Sequence, residues 1–469
     1  MVRAPVIPPL RHVADRPDPA SLLQGGDPWH AMTAELKPPF DDDQARAESM
    51  RCLLCGGPCV PAPCTVACPA NVDVPAFVEA VGRGHPAAGG EIVLDANPLG
   101  ATCARVCPTE VLCEAACVLL HEGQRAVDIA RLQRYAVDHA LAADPAPAPA
   151  VARASRRVTV IGAGPAGMAS AAELVRRGYR VTVVDERPES GGLVRYAIAP
   201  YRQMNDPLPR ERRRLERMGV VFRLAAPIDA PARLREVEAE SDAIVLAVGM
   251  GEDAPAGCEN EDLPGVWPSL RFVGAIKAGT LPSVGERVVV VGGGNTAMDM
   301  ARECLRLGAR DVTVLYRRTE AEMPAFRHEV EEAKAEGVRF AWLTAPVRFA
   351  GSKRLRAVEC QSMRLGEPDA SGRRHPEPVP GATFAFEADS AILAIGQRPR
   401  AAFLGWIQGL VLDGSRILCD PATGRTGNPL YFAAGDAVNG GDTVVEAVRT
   451  AKQAAEAIDA WLATEGEER

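Results

Sequence analysis

Nine of the thirteen cysteines lie between positions 52 and 117, at spacings that let thiolates converge on metal centres. They run Cys52-Leu-Leu-Cys55, then Cys59, Cys64 and Cys68-Pro69. After a gap come Cys103, Cys107-Pro108, Cys113 and Cys117. A Cys-Pro that closes a run, its last Cys serving the other of two centres, is the pattern of two-cluster iron–sulfur proteins. Zinc is the alternative that cysteines alone leave open.

The second chemistry is dinucleotide binding. Arg157-Val-Thr-Val-Ile161 reads as a buried strand, and Gly162-Ala-Gly164-Pro165-Ala166-Gly167 opens a helix after it. The first glycine makes the turn, the second admits a pyrophosphate, and the third allows close helix–strand packing. The helix N-terminus faces the phosphates. A strand from Arg180 to Val184 ends at Asp185, which suits a ribose 2'-hydroxyl. The pattern then repeats as Arg287-Val-Val-Val-Val291, Gly292-Gly-Gly294-Asn295-Thr296-Ala297 and a helix to about Leu307. Its next strand, Val312 to Tyr316, ends in Arg317-Arg318, with Arg327 on the following helix as a further candidate. Arginines suit the 2'-phosphate of NADP, and an acid suits the free hydroxyls of FAD or NAD. Hydride transfer from NADPH to a flavin, and single electrons from the flavin to iron–sulfur clusters, would connect these parts. Zinc would leave those electrons without an exit.

These residues need elements to hold them. At 469 residues, two to four domains are expected, and 47% hydrophobic residues supply their cores. The net charge of -8 argues against a nucleic-acid surface. No apolar run reaches the length of a membrane helix, and the N-terminus has no signal-peptide core. A reducing, cytoplasmic setting follows, where clustered cysteines read as metal ligands. Residues 1–45 read as an extended arm or a disordered tail, and 46–141 as a helical cysteine domain with helical spacing over Val74 to Val81 and Ile129 to Ala140. Residues 142–154, rich in Ala and Pro, read as a semi-rigid linker. A first dinucleotide domain is expected over 155–284, a second over 285–395, and the rest of the first over 396–469. Two similar short strands, Ala243 to Val248 and Ala391 to Ile395, end the two units. The tail carries Gly435-Asp436 directly after a buried strand, and a helix from near Thr443 to about Trp461. Asp436 is expected at the ribityl–phosphate part of a flavin. The amides of that helix would stabilise a reduced, anionic flavin ring.

Residues 50 to 465 resemble the small (beta) subunit of bacterial glutamate synthase and the electron-input half of dihydropyrimidine dehydrogenase. Asn97-Pro-Leu-Gly-Ala-Thr-Cys103-Ala-Arg-Val-Cys107-Pro-Thr-Glu110 and Ile129-Ala-Arg-Leu-Gln133-Arg carry the likeness. It implies an α/β chain with an N-terminal α-helical domain holding two [4Fe-4S] clusters. Two nested Rossmann-like domains of the glutathione-reductase type follow, binding FAD and NADPH, or less readily NADH. By motif, Cys52, Cys55, Cys64 and Cys117 would hold the first cluster. Cys68, Cys107, Cys113 and Gln133 would hold the second, with Gln133 in the dihydropyrimidine dehydrogenase manner and Cys103 not a ligand. Gly192, Leu193, Arg202, Thr443 and Val444 would touch the flavin. The sequence departs from the family where extra residues with Cys59 separate Cys55 from Cys64, so Cys59 could replace a neighbour as ligand. It departs again at Ala199-Pro-Tyr201-Arg202. Cys258, Cys304, Cys360 and Cys419 read as small buried apolar residues. No barrel or FMN-binding region is read after these domains. The resemblance therefore implies an electron-input enzyme subunit that serves a larger catalytic subunit, with no nucleic-acid or membrane partner. Pyrimidine reduction by that partner is the first expectation, glutamate synthesis the second, and a non-catalytic scaffold the third.

Overall fold

The computed structural model describes residues 35, 37–57, 59–143, 156–204, 206–280, 283–368 and 372–465. Most of the expected arm and linker lies outside these residues. The described end of the arm is ordered against the protein. Phe40 is buried beneath the Arg131 guanidinium, 3.8 Å from its ring centre. Arg131 and Arg134 donate to the carbonyls of Pro38 and Lys37 at 2.8 and 2.6 Å. Asp41 then starts the helix Asp42–Ser49 with a reciprocal capping box to Gln44. The arm expected to reach residue 45 therefore gives way to helix at 42.

The cysteine segment is helical. Helices Val74–Gly82, Pro86–Ala96, Gly100–Val106 and Ile129–Ala143 pack around Phe77, Val93, Leu94, Leu99 and Leu132. This core continues into the first α/β unit through Val158, Val160, Leu174 and Val448, so the two share one apolar interior. Polar ties cross the same junction. Thr102 donates from its N and Oγ1 to Glu211 at 2.9 and 2.6 Å, and Lys452 Nζ donates to the carbonyls of Ala70 and Ala96, both at 3.0 Å.

Two parallel five-stranded sheets follow. The first has the order Tyr431–Ala433, Ala243–Leu246, Arg157–Ile161, Arg180–Val184, Val221–Arg223. The second has the order Val266–Pro268, Ser390–Leu393, Arg287–Val291, Asp311–Tyr316, Arg339–Trp342. Each glycine strand is central, and each similar short strand is its neighbour. The outer strand differs in origin. The C-terminal Tyr431–Ala433 supplies it in the first sheet, and Val266–Pro268 supplies it in the second. This corrects the expected boundary at 285, because Val266–Pro268 pairs with Ser390–Leu393 and so joins the second sheet. The chain crosses between units where Glu252–Asp253 pairs antiparallel with Gln397–Arg398. A three-stranded antiparallel excursion, Thr344–Ala350, Ala357–Pro368 and Arg374–Glu387, was not foreseen. Among the described residues no helix is long and apolar enough to cross a membrane.

Candidate functional site

One cavity of about 1160 Å3 joins all three parts of the chain. Gly162, Gly164, Pro165, Ala166, Asp185, Gly192, Leu193, Arg202, Asp436, Thr443 and Val444 line it from the first unit. Gly294, Asn295 and Thr296 reach it from the second, and Arg105, Val106, Cys107 and Pro108 close it from the cysteine segment.

The first glycine turn is a cradle built for close backbone approach. Gly162 has φ of +108°, and a Cβ there would stand 2.3 Å from the Ala247 carbonyl oxygen. The helix Pro165–Arg176 begins at Gly164 with Pro165 in its first turn. Gly167 supports the turn from below without lining the cavity. Asp185 accepts from the amides of Ala163 and Arg187 at 2.6 and 2.8 Å, so it fastens the glycine loop as well as facing the cavity. Gly435 approaches the same helix closely, and a Cβ there would be 2.7 Å from Ala166 Cβ. Next to it, burial pushes the Asp436 carboxyl up to about 6, against the Asp442 amide that it accepts at 3.2 Å. The 22-residue helix Val444–Glu465 starts at this wall with Thr443 Oγ1 accepting the Glu446 amide. These features fit a pyrophosphate and an anionic ring system.

The second turn repeats the first. Gly292 has φ of +141°, and a Cβ would stand 2.1 Å from the Ala394 carbonyl oxygen. Helix Asn295–Arg306 begins at Gly294, and Asn295 Oδ1 accepts the Phe326 amide at 2.8 Å. The arginines divide. Arg317 is exposed, and Arg318 is buried with its Nε donating to the Arg374 carbonyl at 2.8 Å. Arg327 points away into an exposed pair with Glu331 at 2.8 Å, so it does not join the site.

The cysteines gather in two sets. Cys52, Cys55, Cys64 and Cys117 line one apolar pocket with Pro63, Val74, Val78 and Ile129. Burial raises the Cys52 thiol and pushes Cys64 up to about 11, and the set's members act on one another. Cys68, Cys103, Cys107 and Cys113 form the second set. Burial and neighbouring thiols raise Cys68 and Cys113, and Cys107 is raised first by its hydrogen bond with Cys103 and then by burial. Cys64 of the first set acts on Cys113 of the second, so the sets adjoin. The amides of Ala70, Asn71 and Val72 turn toward the Cys68 sulfur. Desolvated thiols with amide donors fit cluster ligation. Among the described residues no three His, Cys, Asp or Glu side chains close on a single ion. Cys59 is exposed on a tight loop closed by Gly57 and Val60, apart from the pocket that holds Cys64. Gln133 lies on helix Ile129–Ala143, and its Nε2 donates to the Gly100 carbonyl at 2.7 Å. Its Oε1 is therefore the atom left for a metal.

Sequence reading missed Asp299, His328 and Glu329, which line the cavity. Arg202 lies at the cavity, yet its guanidinium pairs with Asp299 and Glu329 of the second unit. His328 Nε2 lies 3.5 Å from Glu329 and 3.8 Å from Glu110 of the cysteine segment. These acids stand on helices that the sequence marks only as amphipathic, and no local signal aims them at the cavity.

Residues 156–455 match the family model described as pyridine nucleotide-disulphide oxidoreductase. Residues 30–144 match the model described as dihydropyrimidine dehydrogenase domain II, 4Fe-4S cluster. The chain is 36% identical to the glutamate synthase [NADPH] small chain of Escherichia coli, covering 91% of this chain and 93% of that one. It is 38% identical to the NADPH-Fe(3+) oxidoreductase subunit beta of Geobacter sulfurreducens over 86% of this chain, and spans 64% of that longer protein. Among solved structures, Mycobacterium tuberculosis FprA in complex with NADPH matches with a TM-score of 0.58 at 20% identity, over 67% of this chain and 86% of that one. That likeness carries the fold alone.

Proposed function

The chain belongs to the pyridine nucleotide-disulphide oxidoreductase family, and from that premise we propose that it is an NADPH-oxidising electron-input subunit. In this reading electrons pass from NADPH to FAD, then through two [4Fe-4S] clusters to a separate catalytic subunit. The observation that carries it is the single cavity lined by both glycine turns and by Cys107. A bound FAD would take a hydride and release electrons one at a time.

The chain's own residues divide the work. Gly162 and Gly164 let the backbone reach the flavin pyrophosphate, and Asp185 takes the ribose side. Asp436 and the start of helix Val444–Glu465 orient the ring end, where the helix amides favour negative charge. Gly292, Gly294, Asn295 and Thr296 seat the nicotinamide dinucleotide, with Arg317 at its 2'-phosphate. Cys68, Cys107, Cys113 and Gln133 hold the cluster beside the cavity. Cys52, Cys55, Cys64 and Cys117 hold the outer one.

For the partner, similarity along nearly the whole glutamate synthase small chain favours a glutamate synthase large chain. That reading takes first place over pyrimidine reduction. The latter keeps specific support from Gln133 and from the match over residues 30–144. Anaerobic NADPH addition to the purified chain should bleach flavin and iron–sulfur absorbance together. The isolated chain should reduce a tetrazolium dye and turn over neither uracil nor 2-oxoglutarate plus glutamine. Co-purification with mass spectrometry then identifies the partner. A chain without flavin or acid-labile sulfide would end the proposal.

A further inference from the structure

The two arginines that end strand Asp311–Tyr316 do different things, and a third arginine stands beside them. Arg318 is buried, and its Nε is held by the backbone carbonyl of Arg374 at 2.8 Å. Arg374 begins the strand Arg374–Glu387 of the antiparallel excursion, so this bond fixes the excursion's edge against the dinucleotide fold. It also delivers Arg373, the preceding residue, to the end of the coenzyme strand. Arg373 Nη2 donates to Tyr316 Oη at 3.4 Å. The Tyr316 ring lies so close under the glycine turn that a Cβ at Gly293 would stand 2.4 Å from it. Arg317 is exposed on this surface, and the charges of Arg318 and Arg373 both bear on it. Among the described residues no carboxylate pairs with Arg317. Glu322, in the next turn, has its carboxylate held by the amide and hydroxyl of Thr319.

We propose that Arg373 and Arg317 together read the 2'-phosphate of the coenzyme, with Arg318 as a positioning residue that holds the Arg373 strand in place. The proposal rests on the reading of the second unit as the NADPH site. Two guanidinium groups around a dianion form charge-assisted hydrogen bonds, which are stronger than neutral ones. The like charges that crowd Arg317 become favourable once the phosphate lies between them. The reader therefore comes from a segment about 55 residues beyond the arginines that end strand Asp311–Tyr316, outside any coenzyme fingerprint.

The test is calorimetric binding of 2',5'-ADP and of 5'-AMP to the full chain. The wild type should prefer 2',5'-ADP. Arg373→Ala should lower that affinity about tenfold or more, as expected for a lost hydrogen bond to a charged group, and leave 5'-AMP binding unchanged. Arg373→Lys should recover part of it, and Arg373→Glu should lower it further. Arg318→Ala should cost a similar factor, and Arg318→Ala with Arg373→Ala should cost little more than either alone. Undiminished 2',5'-ADP binding by both Arg373→Ala and Arg373→Glu would overturn the proposal while leaving the NADPH site intact. Failure of the wild type to prefer 2',5'-ADP would instead overturn the NADPH reading itself.

Discussion

Arg202 Nη2 lies 2.7 Å from Asp299 Oδ1 and 2.6 Å from Glu329 Oε2, so one guanidinium from the first dinucleotide unit ties down two acids of the second. Tyr201 donates its hydroxyl to the same Asp299 oxygen, and the guanidiniums of Arg302 and Arg306 lie over its ring at 4.8 and 4.3 Å. Burial alone would raise Glu329, but Arg202, His328 and Arg302 hold it well below the usual carboxylate range. Family resemblance places Arg202 at the flavin; it lines the cavity and also ties the junction between the units.

Replacing Arg202 therefore leaves two mostly buried acids without their shared cation. Arg202→Met should cost on the order of 3 kcal/mol, read as a lower thermal midpoint, while FAD content stays stoichiometric. Adding Asp299→Asn should restore part of the midpoint. Loss of FAD without loss of stability would return Arg202 to the flavin.

Cys59 and Cys64 should behave oppositely. Cys64 lines the apolar pocket with three other cysteines, and Cys59 is exposed on the inserted loop. Cys64→Ser should strip or weaken one cluster. Cys59→Ser should keep about eight iron and eight sulfide per chain, the content of two four-iron clusters. Iron and sulfide analysis of both variants decides it, and equal loss in the two would make Cys59 a ligand.

Gln133 presents its Oε1 because Nε2 is committed to the Gly100 carbonyl. Gln133→Ala should lower iron content or shift one cluster's reduction potential, with NADPH-to-flavin transfer intact. Gln133→Glu keeps an oxygen donor and adds negative charge, so it should retain iron and move the potential downward. An electron paramagnetic resonance signal unchanged in both variants would remove Gln133 from the ligand set.

Glu211 makes the junction with the cysteine domain sensitive to pH. It is fully buried, and burial raises its carboxyl from 4.5 to about 7 against the two Thr102 donors. Between these values the folded chain keeps a proton that the unfolded chain releases, so stability falls as pH rises through that window. The effect is on the order of 3 kcal/mol. Glu211→Gln keeps hydrogen bonding to Thr102 and cannot ionise. Its thermal midpoint should exceed the wild type's at pH 8 and match it near pH 4.5. A midpoint difference that does not vary with pH would refute the assignment.

Features that depend on neighbours along the chain were legible in the sequence. The glycine turns are written in a few consecutive residues, because a positive φ and a close carbonyl leave room only for glycine at Gly162 and Gly292. The strand after each turn, the helix after that, and the clustering of cysteines follow from the same local chemistry. Tertiary structure decided whatever depends on which distant segment arrives beside a residue. Arg317 and Arg318 are adjacent and chemically alike, yet the excursion buries one under Arg374 and leaves the other exposed. Val266–Pro268 reads as the end of the first unit until it pairs with Ser390–Leu393. Arg202 and Arg327 looked alike as ligand contacts until Asp299 and Glu329 came across the junction to the one and Glu331 took the other at the surface. A guanidinium's long, flexible stem lets its partner be chosen by packing alone, and packing joins residues that the sequence keeps about a hundred positions apart.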